Sequence, residues 1–535
     1  MSRDKSCCGV CSRGLYSCHW TKSSTNNKNH ACLWFLVVTV LTLLSLCWLY
    51  TSLVMFNDRD DVNCKLFTIL KHWVNWFMVV IIISAVLSSY CVLLLMFALI
   101  QVVLGEKLDL HSLHKFFLFL GVIFVASVVI GISVKWPQEW PTVPLSLQAT
   151  APFLQFGAVV ALTLLSPFVF RGFHVATKGS KFLIAVVFLL VAAAIFLSPL
   201  LIQSPCLIDL ENLPEKPKLI GHRGAPMLAP ENTMMSFNKS IECGVTAFET
   251  DVQLSKDRIP FLMHDHESEF LLRTTDAQQF FNQTFTHSNN LTWEELMHLN
   301  AGEWFLEKDP YHTVSLLSDE EKTNAKDQTI PSLHQLLDLA KQHSVSVIFD
   351  IYNTTDNDNN DAVDIVKTIS DSGINPRLIL WLPPQGREYV NMKFPGFVQV
   401  YSSKSQMHAK NGSHLNVKYS ALSTNEIREL RRENVTVNLW VVNERWLFSL
   451  LWCAGASSVT TNSCHLLKDV AQPDWVLAPH KYKTIWILVD IASVVTMIGL
   501  YILGRKSRCF GQTEEIHRNG TEAWNERELS PFLST

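Results

Sequence analysis

Polarity along the chain comes in blocks. Residues 31–204 are mostly apolar, 205–480 mix apolar and polar positions as a globular domain does, and 483–503 are apolar again. The apolar blocks divide into runs of about 20 residues, the length an α-helix needs to cross a bilayer core. The pattern predicts spans at roughly 32–56, 74–104, 115–135, 148–170, 182–203 and 483–503. The second run is long, but no turn or charge interrupts it, so it is taken as one span. Trp73, Trp136 and Trp140 sit at span ends, where aromatic rings favour the interface.

Between the fifth and sixth spans the periodicity shortens. Strand-like runs at 218–221, 246–254, 259–263, 345–349, 378–382, 435–442 and 458–461 alternate with helical patterns at 232–242, 332–341, 361–370, 424–432 and 445–453. Such alternation predicts a (β/α)8 barrel. An open doubly wound sheet is the alternative, but no Gly-X-Gly-X-X-Gly turn follows the first strand. Residues 266–330 break the alternation and are too long for an ordinary loop, so they read as an insertion over the barrel mouth. The expected architecture is a six-span α-helical membrane bundle with an α/β TIM barrel between spans five and six. A cytosolic tail (1–31) precedes the five spans of 32–204; the barrel of 205–480, the sixth span and a second tail (504–535) follow.

Charge sets the orientation. Lys and Arg gather at Arg3, Lys5, Arg13, Lys22 and Lys28, at Lys107 and Lys115, at Arg171, Lys178 and Lys181, and at Arg505, Lys506 and Arg508. The loop 57–72 instead carries Asp58, Asp60 and Asp61. With six spans every basic segment falls on one side, which makes both termini cytosolic and puts the barrel outside the cytosol, lumenal or extracellular; a plasma-membrane protein with an extracellular barrel is the expected placement. Six Asn-X-Ser/Thr acceptors agree: Asn238, Asn282, Asn290, Asn353, Asn411 and Asn434 all fall in the barrel segment. A net charge of −4 with no basic stripe argues against a nucleic-acid partner; the lipid bilayer is the partner the spans require. Cys7, Cys8, Cys11 and Cys18 precede the first span and read as palmitoylation sites, with free thiols or a zinc site as alternatives. Cys206, Cys243, Cys453 and Cys464 are available for disulfides outside the cell, their pairing open.

Polar residues then stand where buried strands should end. Ile220-Gly221-His222-Arg223-Gly224 closes one apolar run, and Phe261-Leu262-Met263-His264-Asp265 closes another. Glu249 and Asp251 are two apart in a strand, so they share a face. Asp350 follows a third run. Catalytic groups of a barrel gather at the C-terminal ends of its strands. Three carboxylates make a hard oxygen site suited to Ca²⁺ or Mg²⁺. His222 and His264 are left for general acid–base work, and Arg223 for holding an anionic oxygen. The set fits phosphodiester cleavage, whose transition state concentrates negative charge on oxygen.

His222-Arg223-Gly224, Pro230-Glu231-Asn232-Thr233, Glu249-Thr250-Asp251-Val252 and His264-Asp265 resemble, in order and spacing, the signature of the glycerophosphodiester phosphodiesterases. Ala301–Phe305, Ile330-Pro331 and Trp440–Asn443 are similar too, and the flanking spans resemble the six-transmembrane mammalian subgroup. The resemblance implies a TIM-barrel enzyme that cleaves glycerophosphodiesters such as glycerophosphoinositol or glycerophosphocholine. It implies His222 and His264 as acid and base and Glu249, Asp251 and Asp350 as metal ligands. Arg223, Glu231 and Trp440 it implies at the phosphate and substrate. The chain departs from that pattern at Asp350-Ile351-Tyr352, where soluble members have Glu, an apolar residue and Lys. Two other expectations stand beside hydrolysis of free diesters: cleavage of a lipid-linked diester or glycolipid anchor, and a surface signalling protein with weakened catalysis.

Overall fold

The computed structural model describes residues 14–18, 31–70, 73–104, 108–264, 268–280, 288–351 and 360–529. Among them, six helical stretches are long and apolar enough to cross a membrane: Leu33–Phe67, Trp76–Val102, Ser112–Lys135, Pro137–His174, Lys178–Leu201 and Pro479–Arg505. The long second run is one helix.

The first stretch outlasts its apolar run. A 3₁₀ turn, Met55–Asp58, leads into a helix, Arg59–Leu70, where polarity predicts a loop. Asp60 and Asp61 lie in the first turn, where the helix dipole favours anions, and Asp61 pairs with Lys65 one turn on at 2.8 Å. Charge there argued against membrane burial, not against helix.

Eight parallel strands form the barrel: β1 (Lys218–His222), β2 (Ala247–Leu254), β4 (Ser346–Ile351), β5 (Ile379–Trp381), β6 (Val398–Gln399), β7 (His414–Lys418), β8 (Thr436–Trp440) and β9 (Ser458–Thr461). They run in the order β6-β5-β4-β2-β1-β9-β8-β7, and a single Tyr401–Leu415 bridge brings the two edges together. Strands β6 and β7 carry no long apolar run, so the sequence pattern passes over them. The run at 259–263 is a strand of a different kind. As β3 (Pro260–Leu262) it folds back antiparallel on β2, with Leu262 opposite Val252. Phe237, Phe248, Leu337, Ile365 and Leu447 are fully buried in one core cluster that joins sheet and helices. Residues 268–280 and 288–326 contain short helices with their own small cluster around Phe270, Leu271 and Leu296.

Disulfides join Cys206 to Cys453 and Cys243 to Cys464. Of the predicted glycan acceptors, Asn238, Asn290, Asn411 and Asn434 are exposed; Asn282 and Asn353 lie outside the described residues, as do Cys7, Cys8 and Cys11.

The membrane half meets the barrel at the connections after the first and third spans. Leu145 and Ala149 of the fourth span belong to the barrel's own core cluster. Glu139 reaches Lys418 at 2.9 Å, and Asn57 donates to the Val441 carbonyl at 2.8 Å. The connections that contact the barrel are those the charge pattern puts on its side.

Candidate active site

The first loop of the barrel is built tightly. Gly224 has φ +86°, and a Cβ there would meet Ser236 Oγ at 2.5 Å and backbone at 2.6 Å, so only glycine fits. The turn packs on the N-terminus of the helix Met234–Glu242, which Thr233 caps by accepting from Ser236 N–H. Arg223 itself has φ 56°, a strained value for a long side chain and common at functional sites. The strain turns its guanidinium back over the strand ends. It meets Glu231 at 3.1 Å and Asp251 at 3.2 Å.

Strand register supplies the carboxylates. In the parallel pairing of β2 with β4, Asp251 stands opposite Asp350, and Glu249 lies two residues back on the same face. His222 ends β1 opposite Glu249, with Nε2 3.8 Å from that carboxylate. His264 arrives by another route. The chain overshoots the mouth at the end of β2, turns, and returns along β3 until Met263 N–H donates to the Asp251 carbonyl at 3.0 Å. The next residue therefore comes back to the level of the acids. His264 follows an apolar run, as expected, but that run is the return arm of a hairpin and not a barrel stave.

His222, Arg223, Glu231, Glu249, Asp251, His264, Asp350 and Trp440 all line one cavity of about 750 Å³, a size suited to a small ligand. Burial, then the adjacent Arg223, lowers the His222 imidazole to about 4, so it is neutral near pH 7. Burial, then repulsion from Asp251 and Asp350, raises the Glu249 carboxyl well above its ordinary value. Burial, then Asp251, raises Asp350 to about 6. Glu231 goes the other way: burial would raise it, but Arg273 and Arg223 bring it to about 2. Among the described residues no three His, Cys, Asp or Glu side chains already stand together at ligating distance. The donor chemistry nonetheless fits a hard divalent cation, because Glu249 and Asp350, buried beside Asp251 and held above the ordinary carboxyl range, are the oxygen donors such an ion takes.

Sequence reasoning missed several residues that line the cavity or hold its carboxylates. Arg273, from the insertion, pairs with Glu231 and lies over the rings of Phe270 and Trp304 at 4.5 and 5.0 Å. Asn232 donates to Asp251 at 3.2 Å. Asn462 contacts His222 Nδ1 at 2.5 Å. Asp58, Asp60 and Trp73 enter from the membrane half. Asn232 sits inside a segment that carries the family resemblance, so its motif was a usable signal. Nothing in sequence ties residues 57–73 to a site whose residues begin only at His222. Tyr352 lies outside the described residues.

Fold and site together define a membrane-anchored TIM-barrel hydrolase of phosphodiester type. The Glycerophosphoryl diester phosphodiesterase family model matches residues 222–382. Glycerophosphoinositol inositolphosphodiesterase GDPD2 of Mus musculus is 41% identical over 515 residues, which cover 94% of this chain and 95% of that protein. Glycerophosphodiester phosphodiesterase domain-containing protein 5 of Homo sapiens is 37% identical over 519 residues, covering 93% and 83% respectively. The Mus musculus protein 4 of the same description is 32% identical, covering 98% and 88%. The chain belongs to the glycerophosphodiester phosphodiesterase family, as a multi-pass membrane member.

Proposed function

We propose that this protein hydrolyses glycerophosphodiesters at the extracellular face of the plasma membrane, with glycerophosphoinositol as the first candidate and glycerophosphocholine as the second. One observation carries the reading: seven ionisable residues and Trp440, from separate strand ends and loops, converge on one cavity. The inositol preference rests on the relative that is 41% identical and is named for glycerophosphoinositol.

Arg223 orients the phosphate and offsets its charge. Neutral His222 takes a proton from the nucleophile, either water or the neighbouring glycerol hydroxyl. His264 gives one to the departing oxygen. Glu231, held ionised by Arg273 and Arg223, fixes the Arg223 fork. Glu249, Asp251 and Asp350 would hold Ca²⁺ or Mg²⁺, which when bound supplies the positive charge that stabilises the developing oxyanion. The extracellular assignment is supported by the contacts of residues 57 and 139 with the barrel and by four exposed sequons.

A second reading, a lipid-linked diester or glycolipid anchor as substrate, is favoured by the cavity wall contributed by Phe67 and Trp73 of the membrane half.

The test is product release by the purified full-length protein from glycerophosphoinositol, glycerophosphocholine and a lipid-linked diester. Each is assayed with Ca²⁺, Mg²⁺ or EDTA. Turnover that ignores EDTA removes the metal from the mechanism. Turnover of the lipid-linked diester alone replaces the first reading by the second. Deglycosylation should lower the apparent mass; no shift would count against the extracellular barrel.

A further inference from the structure

The membrane half reaches into the catalytic apparatus itself. Asn57, on the first extracytosolic connection, holds the turn after β8. Its amide donates to the Val441 carbonyl at 2.8 Å, and its side-chain oxygen accepts from Asn443 N–H at 2.8 Å and Glu444 N–H at 3.2 Å. Its backbone carbonyl accepts from the Asn443 amide at 3.1 Å. Arg59 adds an ion pair to Glu444 at 3.1 Å. So anchored, the connection presents Asp60 to Asn462, whose amide donates to the carboxylate at 3.2 Å. The other end of that amide, Oδ1, lies 2.5 Å from His222 Nδ1. Asn443 also fixes the Asn462 backbone, accepting from its N–H at 2.9 Å.

The chemistry of this chain of contacts has one solution. Burial raises the Asp60 carboxyl to about 6, so it is largely ionised near pH 7, and there, because an ionised carboxylate only accepts, it demands the NH₂ end of Asn462. The oxygen end is then turned toward His222. An amide oxygen also only accepts, so Nδ1 must carry the imidazole proton. In the neutral ring, Nε2 is left as a bare lone pair, and it is the nitrogen that faces Glu249 and the cavity. Without Asp60 the Asn462 amide has no reason to prefer one orientation. Flipped, it would offer N–H to Nδ1 and force the proton onto Nε2, where a base needs none.

We infer that Asp60, from the membrane half, is a positioning residue for the reaction: through Asn462 it fixes the tautomer of His222 that leaves Nε2 free to accept a proton. This rests on the reading of His222 as the base. It assigns the membrane connection a part in turnover beyond anchorage.

The experiment uses the full-length protein in detergent or nanodiscs, with glycerophosphoinositol and glycerophosphocholine as probe substrates. Asp60→Asn keeps the volume and removes the acceptor-only constraint. Its kcat should fall on the order of 10–100-fold, as for other groups that orient a functional imidazole, with KM and melting temperature near wild type. Asp60→Glu should recover part of the loss. Asn462→Ala should lose a similar factor, and the double variant Asp60→Asn/Asn462→Ala should be no worse than Asn462→Ala alone, because the two act through one route. A wild-type kcat in Asp60→Asn, or losses that multiply in the double variant, overturns the relay. If Asp60→Asn fails to fold, Asp60→Glu and Asn462→Ala carry the test, and a wild-type kcat in the latter overturns it. His222→Ala separates the two levels. Activity lost there but kept in Asp60→Asn refutes the relay alone, whereas activity kept in His222→Ala refutes the assignment of the base and the relay with it.

Discussion

The cavity has two walls of different construction. The barrel wall is made of charge: His222, Arg223, Glu249, Asp251 and Asp350 come from the ends of three adjacent strands, β1, β2 and β4. Their positions are set by strand register, and their ionisation is set by burial beside one another. The opposite wall comes from the connection after the first span, held to the barrel chiefly by amide hydrogen bonds through Asn57 and by the Lys418–Asp58 pair at 2.8 Å. In the proposed mechanism one wall carries the reactive groups and the other holds them in place. A rigid sheet can set positions to fractions of an ångström, but its mouth is open to water. Closing that mouth with a second domain lets the site keep its charges poorly solvated.

If the reactive wall is where turnover resides, changes there should silence the enzyme without unfolding it. His264→Ala is expected to lower kcat by about 10²–10⁴-fold, the usual worth of a general acid, with an unchanged melting temperature. A parallel loss of folding would make His264 structural.

Next in size is the buried ion pair that braces this wall. Arg273→Met leaves Glu231 buried beside fewer cations and should cost about 3–5 kcal/mol, read by chemical or thermal denaturation. Loss of less than 1 kcal/mol would mean the pair is not buried as described.

The closing wall should respond more mildly. Asn57→Ala leaves the backbone N–H groups of Asn443 and Glu444 without their acceptor, about 1–3 kcal/mol, and should lower kcat in the direction of Asp60→Asn while also raising KM as the wall loosens. An unchanged KM would separate the connection from the substrate.

The smallest effect is a pH dependence. Glu231 has a folded-state value depressed to about 2, below its ordinary value near 4.5. A depressed carboxylate contributes stability above its unfolded value and loses it as pH falls toward the folded one. The melting-temperature gap between wild type and Glu231→Gln should therefore hold steady from pH 8 to about 5 and narrow below 4.5. A gap that widens on acidification would reverse the sign assigned to this group.

Much of the reactive wall was legible in sequence because its residues are local. His222 through His264 fall within one stretch of chain, the two histidines each at the end of an apolar run, and period two alone puts Glu249 and Asp251 on one face. The apolar blocks likewise mark the six spans, because bilayer thickness fixes their length. Where pairing is non-local the pattern fails. Strands β6 and β7 are too short or too polar to announce themselves. The direction of β3 depends on its partner, which composition does not reveal. The helix Arg59–Leu70 hides behind its charges. Asn57 and Asp60 acquire meaning only through Asn443 and Asn462, partners that chain folding alone brings near.

The central claim is that this cavity hydrolyses a glycerophosphodiester with His222 as base. The most direct measurement is the turnover of glycerophosphoinositol by purified full-length wild type and His222→Ala, side by side, with matched melting curves. Robust turnover in the first and near-background turnover in the second, at equal melting temperature, is the predicted result. Equal turnover in both would contradict it.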